Sequence, residues 1–170
     1  MTHTLSVLLE NKPGALARVS NMFARRGFNI ESLAVGPTER PDVSRITLRV
    51  ECDQHSLEQI EKQMHKLVNV LRVSELEPGE TVERELALIK VAVSPERRPE
   101  LLAVADTFKA HVADLGPEAM IFELVGPPDV LDSFEELVRP YGVKELVRTG
   151  RIALPRAAAR RAPRRQHVLR

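Results

Sequence analysis

Tryptophan is absent from this chain of 170 residues, and aromatics make up only 4% of it, five Phe and one Tyr. The expected core is therefore aliphatic, and a surface that stacks bases on sheet aromatics has little to draw on. Cys52 is the single cysteine, which excludes an internal disulfide and fits a reducing cytosol. No stretch approaches the ~18 apolar residues of a membrane span. The opening MTHTLSVLLENK has no basic n-region before its short apolar run, so it does not read as a signal peptide. A cytoplasmic location without membrane contact is expected.

The templates of catalysis are missing as well. The eight glycines include no G-x-G pair, which removes both the dinucleotide fingerprint and the P-loop, and there is no G-x-S-x-G elbow. The five histidines (3, 55, 65, 111, 167) show no i, i+4 pairing with each other and no H-E-x-x-H, and one cysteine is too few for a structural zinc site. His65 falls at a mixed position of a predicted helix, and Glu135-Glu136 reads as a solvated helix face. Residues brought together in space could still catalyse, but the pattern nominates no catalytic residue, no metal ligand and no cofactor site.

Acid is lacking at one end. The last twenty residues, Arg151 to Arg170, hold seven Arg and no acidic residue, so the net charge of +1 divides into a basic end and a body of 18 basic and 24 acidic side chains, net −6. Phosphate contact needs clustered Lys and Arg, so the body is not expected to bind nucleic acid. The stretch over 156–170 reads as a basic tail, either an arm or a solvated, disordered terminus.

Apolar residues nonetheless make up 43% of the chain, enough for a packed core. Leu5, Val7 and Leu9 alternate as in a strand. After ENKPG, Leu16, Val19, Ser20 and Phe23 take helical spacing, with Arg18, Arg25 and Arg26 on the other side and Gly27 placed to end the helix. FNIESLAV reads as a second strand, closed by Gly36-Pro37, and TERPDV as a turn. SRITLRVE is the cleanest strand, with Ile46, Leu48 and Val50 on one face. Leu57, Ile60, Met64, Leu67 and Val68 mark a second helix, and NVLRVSEL a fourth strand. The order β-α-β-β-α-β is that of a ferredoxin-like module.

A looser repeat of this plan follows. ELALIKVAV is a strand, and Pro99 opens a helix carrying Leu102, Ala105, Phe108 and Val112. Only a short piece near Val112–Leu115 can supply the next strand before AMIFELVG. Pro127-Pro128 opens a helix with Leu131, Phe134 and Val138, and VKELVRTGRIAL closes the module. The expected class is α+β, with one module over 1–77, a polar linker over 78–84 and a second module over 85–155.

One segment carries the pattern of a binding site: Asn11-Lys12-Pro13-Gly14, between the first strand and the first helix. A helix N-terminus offers free N–H donors and partial positive charge to a carboxylate. Gly14 permits close approach to that backbone, and the Asn11 amide can meet both the ammonium and the carboxylate of a zwitterion. Asn, Pro and Gly are equally ordinary turn and cap residues.

The run LSVLLENKPGALARVSNMFARRGFNIESLAVGPTE resembles the start of the regulatory (small) subunits of acetolactate synthase, also called acetohydroxyacid synthase. LEQIEKQMHKLVNVLRVSEL and ERELALIKV are similar to the family's next two stretches. The likeness is nearly continuous from Leu5 to Val93 and looser to VRTGRIAL, and the Arg-rich tail lies outside it. The resemblance implies that the first module is an ACT domain, that the chain dimerises through it, and that a branched-chain amino acid, valine or else leucine or isoleucine, binds at the interface. It further implies a large catalytic partner subunit carrying thiamine diphosphate, magnesium and FAD, which this chain activates and makes sensitive to feedback, with no cofactor and no catalysis of its own. By matching motif, Asn11, Gly14 and Asn29 are the expected effector contacts, with Leu9, Leu16, Ile30 and Val35 as apolar wall. The second module opens its first helix with Pro95 to Pro99 and lacks an Asn-x-x-Gly entry, so the effector is expected in the first module only. The alternatives are an amino-acid-binding ACT regulator of another enzyme, and an RNA-binding ferredoxin-like module.

Overall fold

The first module packs its apolar alternation against two helices. In the computed structural model, which describes residues 1–157, β1 spans Thr2–Glu10, α1 Ala15–Arg25, β2 Ile30–Pro37, β3 Val43–Glu51, α2 Gln54–Met64 and β4 Val70–Glu75. The strands form an antiparallel sheet in the order β2-β3-β1-β4. Leu5, Val7 and Leu9 of β1 and Ile46, Leu48 and Val50 of β3 are buried beneath Ala15, Val19 and Phe23 of α1 and Leu57, Ile60 and Met64 of α2. Their period of two on the strands and 3.6 on the helices is what makes one face of each element meet the other.

Local chemistry sets the helix ends. Gly27 takes φ 71 just past α1, the left-handed conformation that glycine adopts without a Cβ clash. Asp53 caps α2, its Oδ1 accepting from the Ser56 amide at 2.7 Å. α2 ends at Met64, earlier than the apolar spacing predicts. Leu67 packs against the core from the following turn, and Val68, expected on the helix, is 82% exposed there.

The second module repeats the arrangement. Its elements are β5 (Thr81–Ala92), a single 3-10 turn (Pro95–Arg97), α3 (Arg98–Phe108), β6 (His111–Leu115), β7 (Ala119–Gly126), α4 (Pro128–Gly142), β8 (Val143–Arg148) and β9 (Ile152–Pro155). The sheet order β6-β7-β5-β8 matches the first module strand for strand, so both halves are ferredoxin-like. Leu131, Phe134 and Val138 of α4 are buried as their spacing predicts. On α3 the buried residues are Leu101 and Ala105, whereas Leu102 points outward and Val112 belongs to β6. The core is less aliphatic than the composition suggests. All five Phe pack in the two cores, Phe134 between Phe108 and Phe122 at centroid distances of 5.4 and 5.8 Å, where edge-on aromatic contacts are favourable.

Two details join the halves. β5 begins at Thr81, within the stretch expected as linker, and its first four residues pair with β9 rather than with the main sheet. VKELVRTGRIAL is therefore two strands, β8 and β9, separated by Thr149, Gly150 and Arg151, with Gly150 at φ 77. That glycine lies against the backbone of Leu33 in β2, where a Cβ would come within 3.4 Å of the Leu33 carbonyl oxygen. The β5–β9 ribbon thus crosses the sheet face that the helices leave open, the face bearing the buried Thr4, Ser6 and Thr47. Arg148 ties the second module together, donating to Glu85 of β5 at 2.8 Å and also pairing with Asp132 of α4. At the far end Arg156 donates its amide to the Glu80 carbonyl at 2.8 Å. The remainder of the expected basic tail, from residue 158, lies outside the described residues.

Candidate effector site

Glu10 ends β1, and the chain turns through Asn11–Gly14 into α1. Asn11 anchors this turn to the β2–β3 hairpin: its amide N–H donates to the Asp42 carbonyl at 2.8 Å and its Nδ2 to the Pro41 carbonyl at 3.0 Å. One Nδ2 proton and the Oδ1 lone pairs of this exposed side chain remain for another partner. Asn11 does not cap the helix. The N-cap is Gly14, at φ 82 and ψ −8, and no side chain caps α1. Of the first-turn amides, which have no acceptor within a helix, Ala15 N–H donates to the Lys12 carbonyl at 3.2 Å, and those of Leu16 and Ala17 give the helix its positive end. Space around Gly14 is free, since a Cβ built there meets nothing within 4 Å.

The surroundings hold this turn in place. Asn69 Nδ2 donates to Glu10 at 2.7 Å and Lys12 Nζ lies 3.2 Å from the same carboxylate. Together they hold the Glu10 carboxyl below the usual range, the Asn69 bond being the larger cause. Arg40 does the same for Asp42 across a 2.7 Å bond in the hairpin that receives Asn11.

The expected site residues do not all meet in one chain. Leu9 is buried in the core and Leu16 is packed against it, both beside the Asn11 turn. Val35, 51% exposed, pairs with Ile46 on the outer strand β2. Asn29 and Ile30 stand at the other end of the sheet. Glu10 is opposite Val43, whereas Ile30 is opposite Val50. Seven residues of β3 separate those registers, roughly 23 Å at 3.3 Å per residue. The TERPDV turn gave no sign that Pro41 and Asp42 would receive Asn11, because nothing periodic links positions thirty residues apart. Among the described residues, no group of three or more His, Cys, Asp or Glu side chains is disposed to hold a metal ion, and no helix is long and apolar enough to cross a membrane.

Two family models match this chain in succession: an AHAS small subunit-like ACT domain over residues 5–72, and the small subunit of acetolactate synthase over residues 84–157. The chain belongs to the acetolactate synthase small-subunit family. Among relatives of these small subunits, the probable acetolactate synthase small subunit of Archaeoglobus fulgidus is 49% identical over 156 residues, covering 92% of this chain and 98% of that protein. The acetolactate synthase small subunit of Mycolicibacterium smegmatis is 46% identical over 155 residues, 91% of each chain. The crystal structure of the acetolactate synthase small subunit from Thermotoga maritima superposes with a TM-score of 0.85 at 40% identity, covering 92% of this chain and 98% of that one. The pair of ferredoxin-like modules, the first an ACT domain, is thus the architecture of the small-subunit family, and the second family model ends at residue 157.

Proposed function

We propose that this small subunit is non-catalytic and senses a branched-chain amino acid, valine foremost, on behalf of a large catalytic subunit. That partner holds thiamine diphosphate, magnesium and FAD and condenses pyruvate with a second 2-oxoacid. The small subunit activates it and carries feedback inhibition to it. Effector carboxylate binds at the open first turn of α1 over Gly14, and its ammonium and carboxylate are fixed by Asn11 and Asn29.

The observation that carries this reading is the placement of Asn11 and Asn29 at opposite ends of the sheet, together with the position of β2. Among the described residues β2 pairs with β3 alone, leaving an outer edge, and an uncovered edge is a template for pairing. Two copies joined antiparallel along β2 set the Pro37 end of one against the Ile30 end of the other. Each Asn11 turn then lies near the Asn29 of the other copy, so a homodimer carries two sites, each built from both chains. Valine has the dimensions for an apolar wall containing Val35 and Leu16.

Calorimetric titration of the full chain with valine, leucine and isoleucine, alongside acetolactate formation by the catalytic subunit with and without it, tests the reading. The expected result is saturable binding of valine, no turnover by the small subunit alone, and a rise in the partner's activity that valine reverses. Turnover by the small subunit alone, or no response of the partner, contradicts it.

A further inference from the structure

The β5–β9 ribbon does not lie flat on the first sheet. It leaves a groove of about 460 Å³ between the modules. Val82, Ile152 and Leu154 line the ribbon side and are 40%, 60% and 55% exposed. Arg45 and Arg84 line the same groove. Arg45 donates to Ser6 Oγ and Arg84 to its neighbouring backbone carbonyl at Glu83. Among the described residues neither guanidinium is within ion-pair distance of a carboxylate, although this part of the chain is rich in acid. The groove lies on the face of β2 and β3 turned away from α1, since Ala34 pairs with Thr47 and Gly36 with Arg45 there. No residue of the Asn11–Gly14 turn lines it, although Val35 does.

Three properties of the groove define what fits it. Exposed aliphatic side chains at i and i+2 of β9, Ile152 and Leu154, form the alternating pockets that an extended chain fills. β9 is hydrogen-bonded to β5 alone among the described residues, so its other side can accept a further strand. Two guanidiniums without ion-pair partners, set against the single lining carboxylate of Glu39, favour an acidic occupant, since Arg–carboxylate pairs across an interface give orientation and specificity. We infer that this inter-module groove docks an extended segment of the catalytic subunit, one that carries aliphatic side chains and at least one carboxylate.

The inference rests on the reading that the chain serves such a subunit, and it adds a route for regulation. β2 borders the groove on one face and supplies Val35 and its outer edge to the candidate effector site, so effector and docked segment act on one strand. A ligand shifts an equilibrium only by its differential affinity for two states, and a strand shared by both sites is where that difference can arise.

The test measures association of the full-length dimer with the catalytic subunit by interferometry, using wild type, Arg45→Glu with Arg84→Glu, and Ile152→Ser with Leu154→Ser. The two pairs alter the groove independently, so poor folding of one leaves the other informative. The expected result is association at least roughly ten-fold weaker for each pair, with valine affinity and dimer mass unchanged, and retained binding in Arg45→Lys with Arg84→Lys. Wild-type affinity in both pairs overturns the inference. So does a change in dimer mass, which makes the groove a contact between copies of this chain. If wild type itself does not bind the catalytic subunit, the functional reading beneath the inference fails instead.

Discussion

At the scale of single residues, Asn11 holds the hairpin through Pro41 and Asp42 while keeping polar atoms free. Asn29 has no structural task of that kind among the described residues, lying exposed just before β2. Losing a hydrogen bond to a charged group costs about 1.5–3 kcal/mol, so Asn11→Ala and Asn29→Ala are each expected to weaken effector binding roughly ten- to a hundred-fold. Only Asn11→Ala should also lower the melting temperature. Gly14→Asp adds a like charge beside the effector carboxylate, and a side chain at φ 82 carries a left-handed penalty of ~1–2 kcal/mol. Binding should be lost while the dimer persists. Calorimetry beside thermal melts reads both, and undiminished affinity in the two Asn variants removes the site. Cys52 gives a separate check. Burial first, and then the carboxylates of Asp53 and Glu75, push its thiol up, so the nucleophilic thiolate is scarce in the folded chain. Alkylation near pH 8 should be slower folded than in denaturant, and equal rates would contradict this environment.

At the scale of elements, most of the fold is legible wherever one apolar face repeats cleanly. β3 shows Ile46, Leu48 and Val50 at period two, and α4 shows Leu131, Phe134 and Val138 at helical spacing. Reading fails where tertiary contacts decide. Val68 continues the spacing of α2, but the helix stops at Met64 and the chain turns back toward β4. Thr81–Arg84 looks like polar linker because its partner, β9, is seventy residues away. Thr149-Gly150 divides one apparent strand because Gly150 must pack on Leu33. Arg148 is a further nonlocal element: its hydrogen bond to Glu85 is the main cause raising its basicity. Glu85 is buried, and breaking a buried pair leaves an uncompensated charge. Arg148→Met should therefore destabilise the chain by about 3 kcal/mol in urea unfolding, while Glu85→Gln combined with it should recover much of the loss. An unchanged midpoint for Arg148→Met would show that the pair contributes little.

At the scale of the whole molecule, the separation of Asn11 from Asn29 decides between two kinds of site. The motifs carry both residues, but no sequence pattern tells that they lie at opposite ends of a four-stranded sheet. That follows only from the β1–β3 and β2–β3 registers. A site within one chain has no means of using both. A site across two β2 edges uses Asn11 of one copy and Asn29 of the other, which makes complementation the most direct measurement. Asn11→Ala and Asn29→Ala chains, each weakened in binding as a homodimer, are co-expressed with different tags, and the mixed dimer is isolated and titrated with valine. One site of that dimer then lacks both asparagines and the other has both. The expected result is one wild-type-affinity site per mixed dimer, half the wild-type stoichiometry. Binding as weak as in either homodimer would contradict it.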